Sequence, residues 1–402
     1  MDKKNKNPNV PNLRYYHSDK LSKVKLGNIC SITGGYAFDS RKMKSKGEYQ
    51  IIKMGNLYNG VLDLTRNPSF IDNPTKKELE YLIHKNDILI TLTGTVNKKD
   101  YGYTVQLNNP NNLLLNQRCA LIKPLNINEK YLFYLLNSNN FFKQFYASST
   151  GGTGNQTNVS INDMLNFNMY IANEKNQIII SEFLNKIDQR IETQIKIISS
   201  IESQIKSINN HVAFDSATNE LSIGNLFDIK TNSKILEKHD GKYCIVDMGT
   251  IDSNGNYITG KYTDDITSIL TKGTLVMPID DIGGGKIICK TLYINESNKY
   301  VLSDHVFALK LRNSKYNPLY FSSLINSQYH NHNLKRLVTG SAQLGINQEN
   351  LNKYKLRFSD CLELQKKYSK LIQLINEKLF IEKKLLYDLY NQKNYLMKNM
   401  FI

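Results

Sequence analysis

Two halves of this chain repeat each other, and that duplication limits what it can fold into. Lys25-Leu-Gly-Asn-Ile29 returns as Ser222-Ile-Gly-Asn-Leu226, and Lys85-Asn-Asp-Ile-Leu-Ile90 as Lys272-Gly-Thr-Leu-Val-Met277. Leu135-Leu-Asn-Ser138 returns as Leu324-Ile-Asn-Ser327, and Thr150-Gly-Gly152 as Thr339-Gly-Ser341. The displacement stays close to half the chain throughout, with small insertions and deletions. This is a tandem duplication of a whole domain, not a short-period solenoid. The 402 residues give two or three domains enough chain to bury their own cores.

Each copy ends in a long helical pattern. In the first, Ile180, Leu184, Ile187, Ile191, Ile198, Ile201, Ile205 and Ile208 recur at steps of four and three, with Gln194 filling the one gap. That is a heptad stripe with a polar seam residue of the kind that fixes register. The second pattern runs from about Leu364 to Leu396, with Tyr368, Ile372, Ile375, Leu379, Leu386 and Leu389 in its stripe and Glu382 interrupting it. Neither pattern contains proline, whereas Pro124, Pro278 and Pro318 fall in the bodies. A helix over 176–208 would be roughly 50 Å long. The stripes most economically bury each other, through Leu184, Ile187, Ile191, Ile198, Ile201 and Ile205 against Ile372, Ile375, Leu379, Leu386 and Leu389. The competing reading packs each helix on its own body. The bodies read as short strands at 51–54, 87–92, 119–122, 243–246, 275–277 and 306–309, with turns at Asn59-Gly60, Asp240-Gly241 and Asn254-Gly255 and short helices at 131–136 and 319–325. The fold class is therefore α+β: a duplicated β-rich domain, each copy followed by a long helix, the two helices pairing as an antiparallel coiled coil. The expected boundaries are a leader at 1–20, a first domain at 21–172, a central helix at 173–212, a second domain at 213–360 and a distal helix at 361–402.

Composition excludes several classes. Hydrophobic residues make up 40% and charged residues 22%, which is globular rather than disordered. No window is long and apolar enough for a membrane span, and the first residues lack the apolar segment of a secretory signal. Cys30, Cys119, Cys244, Cys289 and Cys361 form no CxxC pair, which argues against a zinc ribbon or disulfide scaffold and favours the cytoplasm. They are expected to be buried small hydrophobes. A net charge of +16 points to a polyanionic partner, most often nucleic acid. A coding bias toward Lys, Asn, Ile and Tyr would raise the charge without function.

Catalytic patterns fail one by one. Asn317-Pro-Leu-Tyr320 lacks the second proline of an adenine methyltransferase motif and reads as a helix start. Gly283-Gly-Gly-Lys-Ile287 has neither the spacing nor the Ser/Thr of a phosphate loop. Asp280 and Asp281 with Lys286 miss the spacing of a metal nuclease. His330 and His332 read as a solvated loop or helix end without a third ligand, and His305 is aligned with Gln117 of the other copy. No catalytic residue and no metal site is expected. What remains is binding chemistry: glycine beside Lys, Arg, Asn, Gln and Tyr in loops at 33–41, 94–103 and 148–158. Such side chains suit bases and phosphates. The candidate DNA contacts are Tyr36, Arg41, Lys53, Asn56, Thr95, Asn97, Lys98, Lys99, Arg118, Asn155, Gln156, Lys286 and Gln343. For each one, an ordinary polar surface loop is the competing reading.

With these residues together, the chain resembles the specificity subunit of type I restriction-modification systems. The resemblance rests on Val10-Pro-Asn-Leu-Arg14, Lys25-Leu-Gly-Asn-Ile29, Thr33-Gly-Gly35, Ile52-Lys-Met-Gly-Asn56, Asp87-Ile-Leu-Ile-Thr-Leu-Thr-Gly94 and Asn116-Gln-Arg118. Its most specific stretch is Glu182-Phe-Leu-Asn-Lys-Ile-Asp-Gln-Arg-Ile-Glu192, preceded by Gln177, and Asn394–Phe401 is similar to the usual end of the distal helix. The second body departs more: Asp304-His305-Val306 stands for Asn116-Gln117-Arg118, and Thr339–Ala342 shortens the 150–158 loop. The resemblance implies two target recognition domains held apart by paired helices, each reading half of a split, asymmetric site on double-stranded DNA. It implies docking of two modification subunits, with restriction subunits in the full complex. S-adenosylmethionine, Mg and ATP are then expected on those partners, none on this chain, which is not an enzyme. The alternative is a non-catalytic coiled-coil scaffold without DNA specificity.

Overall fold

The computed structural model describes residues 21–58, 60–107, 109–151, 156–214, 217–258, 260–341 and 343–401. The expected leader 1–20, Asn59 of one expected turn and Asn155 among the candidate contacts lie outside them. The chain divides into two compact units. The first runs to Thr193 and takes in the chain from Leu386 onward; the second is Gln194–Leu385.

The duplication reappears strand by strand. In the first unit Ser22–Lys25 pairs antiparallel with Asn168–Ile171, and in the second Asn219–Ser222 pairs with Lys355–Phe358. A four-stranded sheet follows in each, in the order Cys30–Gly34, Cys119–Pro124, Ile88–Thr91, Thr104–Gln106 and, equivalently, Phe227–Lys230, Val306–Leu311, Leu275–Pro278, Leu292–Tyr293. A three-stranded sheet in each has one parallel pair, Leu113–Leu115 on Tyr49–Ile52 and Tyr300–Leu302 on Tyr243–Val246. The central strands Ile88–Thr91 and Leu275–Pro278 are buried along their whole length, as their apolar runs require. The strand expected at 51–54 stops at Ile52. Asn56 Oδ1 accepts the Lys53 N–H at 2.9 Å and draws Met54–Asn56 into a 3-10 turn.

Short helices begin where capping side chains allow. Asn128 and Ser138 cap Glu129–Leu135 and Asn139–Ala147. Asn317 caps Pro318–Asn326 by accepting from the Leu319 and Tyr320 N–H groups, with Pro318 in the first turn. That is the helix start expected of Asn317-Pro-Leu-Tyr320. The central helix is Glu174–Phe214, 41 residues, and the distal helix is Leu362–Met400, 39 residues. Both begin with the same clamp. Gln177 accepts from the Asn128 N–H at 3.0 Å and donates to the Ala172 carbonyl at 2.8 Å. Gln365 accepts from the Asn317 N–H at 3.0 Å and donates to the Ser359 carbonyl at 2.8 Å.

The stripes serve two partners, where the sequence posed a choice of one. In the first unit Ile180, Leu184, Ile187 and Ile191 join a core with Tyr131, Phe141 and Phe145 of the body and with Leu389, Leu396 and Phe401 of the distal helix, with Leu386 packed against it. In the second unit Ile372, Val212 and Ala213 enter the body core with Phe321 and Phe358. Ile198, Ile201 and Leu379 are buried there too, while Ile205 and Ile375 are half-buried. The two polar interruptions meet: Gln194 Nε2 donates to the Glu382 carbonyl at 3.1 Å and to its carboxylate at 2.5 Å. Of the five cysteines, three are buried, Cys244 is half-buried and Cys361 is exposed, which corrects the expectation for the last. Among the described residues no helix is long and apolar enough to cross a membrane.

The Gln194–Glu382 pair generates a test. Gln194→Leu should strand the Glu382 carboxylate in the seam and lower stability by about 1–3 kcal/mol. Adding Glu382→Leu should recover most of that loss, because an apolar pair suits the seam at least as well. Chemical unfolding of the full chain checks both, and a double variant no better than the single one refutes the coupling.

Candidate nucleic-acid interface

Each unit carries its glycine-bearing loops beyond the end of the central strand, and each loop is closed by one carboxylate. In the first unit Thr93–Thr95 continues into the loop at 95–100, and Asp100 turns back onto it. Its carboxylate accepts the Thr95 N–H at 2.8 Å and the Thr95 hydroxyl at 2.7 Å. Desolvation pushes the Asp100 carboxyl up, but these bonds outweigh it and leave it below the ordinary range. Gly94 is needed there, since a Cβ would lie 2.3 Å from the Tyr101 ring. Asn97 sits at φ +62°, and Asn97, Lys98 and Lys99 form the exposed tip.

In the second unit Asp281, at the register position of Gly94, closes the loop from its opposite end. Its carboxylate is 1% exposed and accepts N–H groups of Gly283 at 2.5 Å, Ile287 at 2.7 Å and Ile288 at 3.2 Å. Burial raises its carboxyl, and the converging N–H groups more than offset that, so it stays ionised. Gly284 and Gly285, at φ +75° and +80°, make this wrap possible, and Lys286 is exposed at its tip. The glycine loop is thus a shaped loop around a structural aspartate.

A second chain segment lies beside each loop. Gln156–Asn158 pairs with Thr93–Thr95, placing exposed Gln156 opposite Thr95. Leu344–Gly345 pairs with Asp280–Asp281, placing exposed Gln343 just outside that pair. Arg118 is exposed on the turn before Cys119–Pro124. The Tyr36 carbonyl accepts the Gln117 N–H at 3.0 Å, which brings Tyr36 to the same turn.

Several candidates are held by other work. Asn56 is 1% exposed, and its amide donates to the Asp63 and Arg66 carbonyls at 2.9 and 2.8 Å. It is a scaffold residue that cannot present itself to a base, which corrects the expectation. Arg41 grips the Asp39 carboxylate through Nε and Nη2 at 2.9–3.2 Å, and Lys53 donates to the Ser69 hydroxyl at 2.7 Å. The Thr95 hydroxyl is spent on Asp100. Tyr36 is half-buried among Phe38, Tyr81 and the Lys77 ammonium. The exposed set is Asn97, Lys98, Lys99, Arg118 and Gln156 in the first unit, with Arg41 exposed in its surface ion pair, and Lys286 and Gln343 in the second.

Two features escaped the sequence reading. Tyr58, half exposed, stacks edge-on against Tyr103 at 5.5 Å with the Arg66 guanidinium 5.7 Å from its ring, and Lys99 lies 5.5 Å over Tyr146. Tyrosines interleaved with cations were the available signal. The second is His305. Strand register pairs Cys119 with Thr91 and Val306 with Pro278, so His305 stands where Arg118 stands and Asp304 where Gln117 stands. The sequence alignment was one residue out. His305 Nδ1 donates to Asp280 at 2.5 Å, and Nε2 lies 3.6 Å from Asp304. The Asp280 hydrogen bond, aided by the charges of Asp304 and Asp247, raises its pKa above 6.5. His330 is also not the solvated residue expected: it is buried on the helix Gln328–Lys335 against the Tyr354 hydroxyl at 2.8 Å.

The domain family "Type I restriction modification DNA specificity domain" matches the chain twice, over residues 19–203 and 217–389. No curated protein matches it significantly. In fold it is similar to the crystal structure of a type I restriction-modification system S subunit from M. genitalium. The TM-score is 0.63 at 16% identity, covering 98% of this chain and 99% of that one. A chain from work on complex assembly and conformational transition of the type I R-M system matches with TM-score 0.52 at 11% identity, covering 94% and 96%.

His305 makes the stability of the second unit pH-sensitive. A folded pKa above the unfolded one contributes stability that is complete below about pH 6.5 and is lost as pH rises through the folded value. The stability difference between wild type and His305→Gln should therefore be larger near pH 5.5 than near pH 8.5. Thermal melts at the two pH values test it, and equal differences refute the charged pair.

Proposed function

The chain belongs to the type I restriction modification DNA specificity family, and on that premise we propose how its parts divide the work. It is the DNA specificity subunit of a type I restriction-modification complex. Each unit reads one half of a split, asymmetric duplex site, and the exposed helix faces dock two modification subunits. Methyl transfer from S-adenosylmethionine belongs to those partners, and Mg- and ATP-dependent work to restriction subunits. The chain supplies recognition rather than catalysis, and works in the cytoplasm.

The observation that carries this reading is one loop frame present twice with different tips. Thr93–Thr95 paired with Gln156–Asn158 and Asp280–Asp281 paired with Leu344–Gly345 form the common frame, while Lys98, Lys99, Arg118 and Gln156 present one set of groups and Lys286, His305 and Gln343 another. A repeated frame with unlike tips suits two unlike half-sites. Bases are told apart by donor and acceptor patterns, and phosphates by cations alone. Docking is supported by apolar side chains left outside the cores. In the first unit Ile178, Ile179 and Phe183 of the central helix are 42%, 42% and 39% exposed. In the second, Phe380 and Ile381 of the distal helix are 71% and 64% exposed.

Two experiments test the reading. Co-expression with a type I modification subunit of the same source should place N6-methyladenine at one split motif of fixed gap, seen by methylome sequencing. Exchanging residues 213–360 for those of another such chain should change one arm only. No complex at all would favour the scaffold. Separately, the double variant Phe380→Asp, Ile381→Asp should co-purify with one modification subunit fewer while its circular dichroism stays unchanged. Retained binding of both modification subunits removes this face from the docking surface.

A further inference from the structure

Three lysines of the second unit gather where no carboxylate meets them. Lys290 is half-buried behind the glycine loop, its ammonium donating to the Asn326 carbonyl at 3.2 Å. Lys335, in the last turn of Gln328–Lys335, donates to the Gly285 carbonyl of that loop at 2.6 Å. Lys206 comes from the central helix, one turn before Asn210, whose Oδ1 accepts the Gln328 N–H at 2.7 Å at the start of the helix that carries Lys335. Desolvation first, then the charges of Lys335 and Lys206, lower Lys290 to about 8, against a small opposing effect of the Cys289 thiol and with no carboxylate acting on it. Among the described residues none of the three has an ion-pair partner. Glu202, one turn before Lys206 and the natural candidate, pairs with Lys383 at 2.9 Å instead.

The first unit shows that this is a local substitution within a shared frame. Val105 and Leu292 occupy the same register against the central strand, and Gly102 and Cys289, each three residues earlier, both have positive φ. The residue after each is Tyr103 and Lys290. Ser138 and Ser327 cap equivalent helices, and eight residues on stand Tyr146 and Lys335. A tyrosine pair of the first unit is therefore a lysine pair in the second. Tyr103 and Tyr146 carry no charge at neutral pH and ask for no counter-ion. Lys290 and Lys335 bring two positive charges to the same place, held only by main-chain carbonyls. Lys206 is exposed and the other two are half-buried, so cations gathered without an internal anion repel one another while staying within reach of an anion from outside.

We infer that Lys206, Lys290 and Lys335 form a phosphate site of the second unit that takes a DNA backbone phosphate beside the 282–286 loop. The inference rests on the specificity-subunit reading. DNA is favoured over an acidic protein partner because Lys335 is tied to the loop that presents Lys286, so a strand at that tip brings its phosphates within reach. The site carries affinity and register but no sequence information.

The test uses the complete complex with its modification subunits and two duplexes, one with and one without the methylated motif, in anisotropy titrations across a salt series. The variants are Lys290→Gln with Lys335→Gln, the same pair with Lys206→Gln, and Lys290→Arg with Lys335→Arg. The glutamine variants should weaken binding to both duplexes alike and make the slope of log K against log salt shallower by about 1. The arginine variant should keep the wild-type slope, which separates lost charge from damaged packing. The methylated motif should not change. An unchanged slope in the triple glutamine variant overturns the site. Lost subunit assembly on native mass spectrometry, with normal DNA slope, assigns the cluster to a protein partner and also overturns it. So does thermal stabilisation by inorganic phosphate that the variants lose while their DNA slope stays intact. If the wild-type complex binds no DNA, the specificity-subunit reading itself has failed; if only the variants match wild type, the phosphate site alone has.

Discussion

The first unit cannot close its core with contiguous chain, and the second, although contiguous over Gln194–Leu385, closes its own only with parts of both long helices. The first is completed by Leu389, Leu396, Met400 and Phe401, at the far end of the sequence, which pack with Ile180–Ile191 and the body helices. The second is completed by Val212 and Ala213 on the incoming helix and Ile372 on the outgoing one. Burial of these side chains is worth about 1.5–3 kcal/mol each, and deletion of one leaves a cavity as well. The long helices are therefore structural members of the bodies as much as partners of each other. Their polar seam pair, Gln194 with Glu382, adds little energy by itself. It does penalise a slipped register, in which each group would be buried against isoleucine or leucine.

The same economy governs the loops. A loop that must show cations to a polyanion cannot hold itself together with those cations. In both units the task passes to a single acid, Asp100 or Asp281, whose oxygens are spent on main-chain and hydroxyl donors. The tip residues take no part in that closure. Substituting Lys98 or Lys286 would change what the loop offers without changing its shape. Substituting Asp281 would leave three N–H groups unsatisfied, at about 1–3 kcal/mol for the site. Frame and tip are separable because different atoms perform the two tasks.

Much of this was legible in sequence for reasons that are local. The helices declare themselves through stripes at steps of four and three. The caps Asn128, Ser138, Asn317 and Ser327 sit where capping side chains belong. The central strands show as unbroken apolar runs. The site was much less legible, because whether a polar side chain is free depends on distant chain. Asn56 looked like a base reader and is occupied by Asp63 and Arg66, which its own sequence neighbourhood does not reveal. Arg41 was compromised by Asp39 only two residues away, a pairing that composition of the loop does contain. His305 was misaligned because the residues around it diverged, and only the strand register of Val306 fixes its equivalent as Arg118.

That equivalence explains how one frame supports two chemistries. Arg118 is a permanent cation on an exposed turn. His305 occupies the same turn, and the Asp280 hydrogen bond to Nδ1 with the nearby Asp304 charge raises its proton affinity. The second unit thus places a histidine of raised proton affinity, flanked by acids, where the first has a permanent cation. Arg118 offers a planar fork of five donors. His305 has one nitrogen committed to Asp280, which leaves Nε2 to face outward beside a carboxylate. Two turns alike in backbone then differ both in charge and in the pattern of hydrogen bonds they can make, and it is such patterns that separate one base pair from another.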